Sequence, residues 1–262
     1  MLHPIGPNDP IFSSPAYQAD RIAFTLLEVI RQQPLLLLSD GERVALGRNN
    51  PDAPVWVWTA DSLPDAQART LTDALAERFP DTTTFVAKPG LCDRLTADWP
   101  GRPVRRGVLM NAYVCPALLP GRFAGGCVRQ PGPEDLDWLG DFAAGFQRDI
   151  HGIELPPEQR REKARSYLEH GNALALWVDG EPVAMAASAY QTDRLQAVNA
   201  VYTAPAHRCK GYAARVVGAV CTRIIETDRQ PMLYADAANP ASNRAYQSIG
   251  FQYRGQAKEL TL

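Results

Sequence analysis

The residues of this chain best suited to chemistry lie between Val201 and Ala213, a stretch reading VYTAPAHRCKGYA. Arg208 and Lys210 bring two cations into one turn. Gly211 permits close approach of a ligand or a positive φ, and Ala213 keeps the next helical turn small. Val201, Tyr202 and Thr203 have strand character and Pro205 stops that strand. Beyond the glycine, Ala213, Val216, Val217, Val220, Cys221, Ile224 and Ile225 recur at helical spacing. A strand, a basic glycine turn and a helix start aim backbone N–H groups and a positive dipole end at one point. The spacing therefore predicts a seat for a phosphate or pyrophosphate. GxxxxGK[ST] is absent and no GxGxxG follows a strand, so the commoner nucleotide loops do not apply. Cys209 reads as a small filler within the turn, in preference to a reactive thiol.

A second group closes the chain, Asn239 to Phe251, reading NPASNRAYQSIGF. Asn239 and Pro240 have the N-cap and first-turn chemistry of a helix that Gly250 can end. Asn243 and Tyr246 are three residues apart, so they share a helix face and can both reach one extended ligand.

The pattern RxxGxA at Arg208, Gly211 and Ala213, followed by Asn243, Tyr246, Gly250 and Phe251, resembles the GNAT superfamily of N-acetyltransferases. That resemblance covers residues 127–262 well and 1–120 weakly. It implies acetyl-CoA (coenzyme A) as cosubstrate, with its pyrophosphate at Arg208, Cys209, Lys210, Gly211, Tyr212 and Ala213. The pantetheine arm would pair with backbone around Val201, Tyr202 and Thr203, with Asn239 and Asn243 beside it. Tyr246 would serve the departing sulfur. An amine would attack the thioester directly, with a backbone N–H near Val201 polarising the carbonyl and no metal involved. The implied fold is α/β (α+β): a mixed, mostly antiparallel sheet flanked by helices, in tandem.

The family's general base has no obvious counterpart. The strand before the loop, LQAVNAVYT, carries no carboxylate, and Asn199 cannot take a proton. Asp149, His151 and Glu154 in a loop, and Asp236 at a strand end, are the remaining candidates, each also readable as a solvated residue. A water chain, or an amine that arrives neutral, would remove the need.

The elements that must position these groups come from the rest of the 262 residues, which allow one large domain or two small ones. With 45% hydrophobic and 21% charged residues and a net charge of −2, the composition is that of a globular protein and gives no sign of nucleic-acid binding. Five cysteines show no CxxC pairing and no His partner at zinc spacing. The N-terminus has no basic and apolar leader, and the longest aliphatic run is Leu35 to Leu38, so the expectation is a cytoplasmic protein with no membrane partner. Oligomeric state is not legible.

In the first half the pattern predicts a helix from Pro15 to Gln33, a hairpin of Leu35–Leu38 and Val44–Leu46, and a strand Val55–Thr59. A helix Pro64–Phe79, a strand Thr83–Ala87, a helix Leu91–Asp98 and a strand Val104–Val114 follow. Pro116 to Gly126 reads as a linker. The second half predicts Val128 in a strand and helices Glu134–Phe146 and Glu158–Glu169, with a loop over Asp149–Pro157 between them. Strands Ala173–Val178, Val183–Tyr190 and Leu195–Thr203 lead into the basic turn. Its helix, a strand Pro231–Ala235, the closing helix and two last strands complete the order that the resemblance implies.

A repeat crosses the linker. Leu35, Leu37, Asp40, Gly41, Glu42, Val44, Ala45 and Leu46 recur 139 residues later as Leu174, Leu176, Asp179, Gly180, Glu181, Val183, Ala184 and Met185, seven of the eight identical. Thr59–Ala60 likewise matches Thr203–Ala204. After Ala60, however, the chain reads DSLPDAQAR, with no glycine and two acids, which cannot cradle a phosphate. The expected organisation is therefore a degenerate GNAT-like domain, 1–120, and a catalytic one, 127–262. The acceptor would be a small-molecule or peptide amine. The alternative is a CoA-binding sensor or scaffold without turnover.

Overall fold

The computed structural model describes residues 2–99, 103–120, 125–169 and 174–262. The centre of the expected linker and the expected strand start at 173 lie outside these. The chain divides into two compact units. Unit 1 holds Met1–Tyr113, Tyr234–Asn239 and Tyr253–Leu262; unit 2 holds Val114–Leu233 and Pro240–Gln252.

Unit 1 begins with β1 (His3–Pro4), α1 (Pro15–Asp20), α2 (Thr25–Ile30), β2 (Leu36–Ser39), β3 (Val44–Arg48) and β4 (Val55–Thr59). It continues through α3 (Asp65–Arg78), β5 (Thr84–Ala87), α4 (Pro89–Asp98) and β6 (Arg106–Val114). Unit 2 takes up β7 (Cys127–Arg129), α5 (Leu136–His151), α6 (Pro157–Glu169), β8 (Ala175–Asp179), β9 (Glu181–Gln191) and β10 (Leu195–Thr203). Then come α7 (Tyr212–Ile225), β11 (Gln230–Asp236), α8 (Pro240–Ser248) and β12 (Gln252–Thr261), the end of β11 from Tyr234 and β12 from Tyr253 belonging to unit 1. Each run has the same order: strand, two helices, three strands, helix, strand, helix, strand.

The pairings repeat as well. In unit 1, β1, β2, β3 and β4 pair antiparallel in succession and β4 pairs β5 in parallel. In unit 2, β7, β8, β9 and β10 pair antiparallel and β10 pairs β11 in parallel. The expected duplication is thus present in topology as well as in the turn residues.

Two expectations need correction. The units are not the contiguous halves 1–120 and 127–262, because residues 253–262 run antiparallel to β5, with Leu260 opposite Phe85, and Leu260 and Leu262 fill unit 1's core. Period-two patterning identifies a strand but not its partner. After α8, moreover, one strand follows where two were expected.

The cores follow the periodicities. On one side of unit 1's sheet, Phe24, Leu27 and Ile30 meet Trp56 and Trp58; on the other, Leu71 and Leu75 of α3 meet Val55 and Val57. In unit 2, Leu139 and Phe142 of α5 and Ala164 of α6 pack on Leu176, Met185 and Tyr202. The buried stripe Val216, Val217, Val220, Cys221 and Ile224 gives α7 its inward face.

Candidate active site

Strand β10 is where unit 2 departs from regular geometry. Ala200 has φ 49°, and the β9 register shifts between Asn199 and Tyr202. The Ala200 N–H donates to the Asn199 side-chain oxygen at 2.7 Å. Asn199, which cannot serve as the missing base, therefore stabilises a bulge. Parallel pairing with β11 stops at Ala197↔Met232. β10 continues through Val201, Tyr202 and Thr203.

Tyr202 contributes backbone at this edge, because its ring is buried under α5, 5.7 Å from that of Phe142. A Cβ on Gly145 would overlap the Tyr202 hydroxyl, so glycine is what lets α5 lie this close.

The basic turn follows. Cys209 has φ 63° and Gly211 has φ 84°, two left-handed residues in a tightly curled loop. Gly211 is the N-cap of α7, and no side chain caps that helix. Its first N–H groups and dipole end are thus presented at the turn, and the small Ala213 sits inside its first turn, an arrangement that fits an anion such as a pyrophosphate. Cys209 is exposed, so it fills no space, contrary to its reading as a filler. Lys210 is exposed too.

The side chains beside it already have partners. The Arg208 guanidinium forms an ion pair with Asp149 through Nη2, donates from Nε to the Thr203 carbonyl at 3.1 Å, and lies 5.6 Å from the Tyr202 ring centroid. His207 Nε2 is 3.3 Å from Glu181 Oε1. The Tyr212 hydroxyl donates to the Asp179 carboxylate, and that bond holds the phenol's pKa above its ordinary value. Sequence reasoning singled out Arg208, Tyr212 and Asp149 but not the pairings they make, and it gave Asp179 and Glu181 no role at the site. Asp179 and Glu181 belong to the Asp-Gly-Glu turn of the repeat, the one signal that could have drawn attention to them.

Asp149 and His151 fall on α5, not in a loop, because that helix runs on to His151. Asp236 ends β11, as expected, and its carboxylate accepts the Ala238 N–H at 2.8 Å. Asn239 precedes α8 and belongs to unit 1, its N–H donating to the Asp236 carbonyl. Asn243 and Tyr246 belong to unit 2, and both are buried on α8. The Tyr246 ring packs edge-on to Phe251 at 6.0 Å. Burial pushes its phenol up to about 12, against a smaller opposing effect of a hydrogen bond with Ser242. Among the described residues, no group of three or more His, Cys, Asp or Glu is placed to hold a metal ion, and no helix is long and apolar enough to cross a membrane.

Residues 177–260, from β8 to the end of the chain's last strand, match the family model described as FR47-like protein. No curated protein matches the chain by sequence. Solved structures do match by shape. A GCN5-related N-acetyltransferase from Kribbella flavida has a TM-score of 0.62 at 18% identity, over 93% of this chain and 95% of the other. Another GCN5-related N-acetyltransferase, from Sphaerobacter thermophilus, has a TM-score of 0.60 at 17% identity, over 99% and 94%. A tandem GNAT protein from the clavulanic acid biosynthesis pathway has a TM-score of 0.51 at 11% identity, over 100% and 98%. With the repeated strand and helix order and the bulged strand leading to a glycine-capped helix, these likenesses give the chain the fold of the GNAT acetyltransferases.

Proposed function

We propose that this protein is an acetyl-CoA-dependent N-acetyltransferase whose site lies in unit 2 and whose acceptor is a primary amine on a small molecule or peptide. The observation that carries this is Gly211, a left-handed N-cap that brings no side chain to the start of a 14-residue helix, eight residues after the end of a bulged strand. Bound there, acetyl-CoA would supply a thioester carbonyl open to attack. The N–H groups at Gly211 to Ala213 hold its pyrophosphate, with Lys210 beside them. Backbone of Val201 and Thr203 aligns the extended arm like an added strand. At the bulge, a backbone N–H near Val201 would polarise the thioester carbonyl.

Tyr246 keeps its proton at neutral pH. A phenol near 12 is a much weaker acid than a thiol of about 8.5. Full proton transfer to a departing thiolate is therefore uphill, and the role that fits Tyr246 is a hydrogen bond from Oη to the developing negative charge. β10 carries no carboxylate, so the amine enters neutral or loses its proton through water. The five cysteines are all free, which suits a cytoplasmic setting.

Incubating the protein with acetyl-CoA and a panel of amines, with free thiol as the readout, tests this. Amine-dependent thiol release is the expected result. Acetyl-CoA binding without release for any amine would favour the sensor or scaffold reading. Tyr246→Phe should lower kcat by about 10²-fold, as for a lost transition-state donor, and leave cofactor affinity nearly unchanged.

A further inference from the structure

We infer that Asp149 is an internal competitor of the cofactor's pyrophosphate for Arg208, so that this one carboxylate sets the affinity of the site. The inference rests on the acetyl-CoA reading above. Arg208 is the cation that the loop offers to a phosphate, yet its guanidinium is held on Asp149, on the Thr203 carbonyl and against the Tyr202 ring. All four groups belong to unit 2. A guanidinium has one planar fork of donors. Here Nε is given to the Thr203 carbonyl and Nη2 to Asp149, so a phosphate gains a bidentate grip on Arg208 only when Asp149 gives up Nη2.

The end of α5 is an unfavourable place for a carboxylate such as Asp149. Asp149 lies in the last turn of the 16-residue helix α5, where exposed carbonyls repel a carboxylate and favour cations such as the neighbouring Arg148 and His151. Arg208 offsets that repulsion. Asp149 also has somewhere to go when Arg208 leaves, because its second oxygen is 3.5 Å from Arg148 Nε. The pair is partly exposed, with 46% of the Arg208 side chain and 31% of that of Asp149 accessible, so it can open without breaking the core. Cofactor binding therefore exchanges one anion for another at Arg208, and the affinity observed is the difference between the two.

Calorimetric titration of CoA into the full chain tests this, using wild type, Asp149→Asn, Arg208→Ala and the double variant. Asp149→Asn should bind CoA roughly two- to fivefold more tightly, the range expected for releasing a partly exposed ion pair. In the Arg208→Ala background the same substitution should change nothing, because the contested group is gone. The Asn variant removes a charge that the helix end disfavours, so it should melt no lower than wild type. Should it fail to fold, Asp149→Ser serves the same comparison. Unchanged or weaker CoA binding by a folded Asn variant overturns the inference, as does a gain that persists without Arg208. If neither wild type nor the variants bind CoA, the cofactor reading itself is wrong and the competition falls with it.

Discussion

The two Asp-Gly-Glu turns start from the same residues and do different work. In unit 1 the turn is wide: β2 ends at Ser39, β3 starts at Val44, and the Asp40 carboxylate accepts the N–H groups of Glu42, Arg43 and Val44 at 3.0, 2.8 and 2.8 Å. Burial alone would raise its pKa, but these donors outweigh it and hold Asp40 below the usual aspartate range. In unit 2 the hairpin is tight. Asp179 pairs directly with Glu181, a register shift separates Trp177 from Val178, and the Asp179 carboxylate is given to Tyr212. At the turn the register differs by two residues, Asp179 facing Glu181 where Asp40 faces Val44, and the self-contained turn of unit 1 has its counterpart in a brace for the loop that opens α7.

The turns that follow show the same divergence. After β10 come the left-handed Cys209 and Gly211; after β4 come Asp61 and Asp65, beside a cavity of about 460 Å³ also lined by Lys88 and Arg94. The cations there are already matched within the unit. Lys88 lies 2.6 Å from Asp61 and 2.5 Å from Asp20, and Arg94 pairs with Asp65. Unit 1 has kept the strand and helix frame while supplying its own anions.

The largest break in this comparison should come from Gly211→Val. A β-branched residue is strained at φ 84°, and its side chain would obstruct the N–H groups that open α7. Removing two charge-assisted hydrogen bonds to the pyrophosphate at once costs about 3–6 kcal/mol, so CoA affinity should fall by at least about 100-fold. Asp61→Gly, the converse change in unit 1, should create no second CoA stoichiometry. Calorimetry reads both. Wild-type affinity in Gly211→Val would remove the pyrophosphate assignment.

A smaller effect separates how the units guard their buried carboxylates. Glu28 of unit 1 is 2% exposed and shares one oxygen between Arg21 at 3.0 Å and Arg31 at 3.2 Å. Asp135 of unit 2, also 2% exposed, depends on a single bidentate partner, Arg129, with both hydrogen bonds at 2.5 Å, plus the Gly132 N–H. Arg129→Ala leaves a nearly uncompensated buried charge and should cost about 3 kcal/mol. Arg31→Ala leaves Arg21 in place and should cost about 1 kcal/mol. The hydrogen bond from Arg129 is the main reason that the Asp135 pKa is lowered from 3.8. Its stabilisation is therefore complete above that value and is lost as pH falls below it through the native pKa. Denaturant titrations at pH 7 and pH 3 should show the gap between Arg129→Ala and wild type shrinking at the lower pH.

Much of this frame was legible because local chemistry dictates it. Val55–Thr59 and Leu195–Thr203 are strands over the residues expected, since β-branched and aromatic runs bounded by turns leave few alternatives. The expected helix Pro15–Gln33 is two, because Phe24 adopts φ −112°, ψ 28° and the Thr25 hydroxyl donates to the Ile22 carbonyl, satisfying backbone that a continuous helix would have used. α5 runs past the expected end at Phe146 because its stop is Gly152 at φ 68°, whose N–H bonds the Arg148 carbonyl, and not the polar run before it. Side-chain pairs such as Asp149 with Arg208, 59 residues apart, have no local signature. The glycine turn and the closing helix were readable; what restrains them was not.

The smallest predicted effects return to the paired aspartates. Asp40→Ala removes an acceptor that organises three backbone N–H groups and should destabilise unit 1 by about 1–3 kcal/mol. Because the Asp40 pKa is depressed, that contribution holds above the ordinary aspartate range and fades as pH falls through the native value. Asp179→Ala should not unfold its hairpin, which is held by strand pairing and, among the described residues, has no comparable set of turn bonds to its carboxylate. It frees the Tyr212 hydroxyl instead. The loop before α7 then loses one of its braces, while Glu181 still reaches His207 and Arg208 still reaches Thr203. CoA affinity should fall roughly two- to tenfold, the range of one lost hydrogen bond, with little change in melting temperature. Tyr212→Phe should reproduce the loss, and adding it to Asp179→Ala should do nothing more, since both remove the same bond. If Asp179→Ala instead melts like Asp40→Ala and binds CoA like wild type, the two turns play the same role, and the divergence drawn from their registers is wrong.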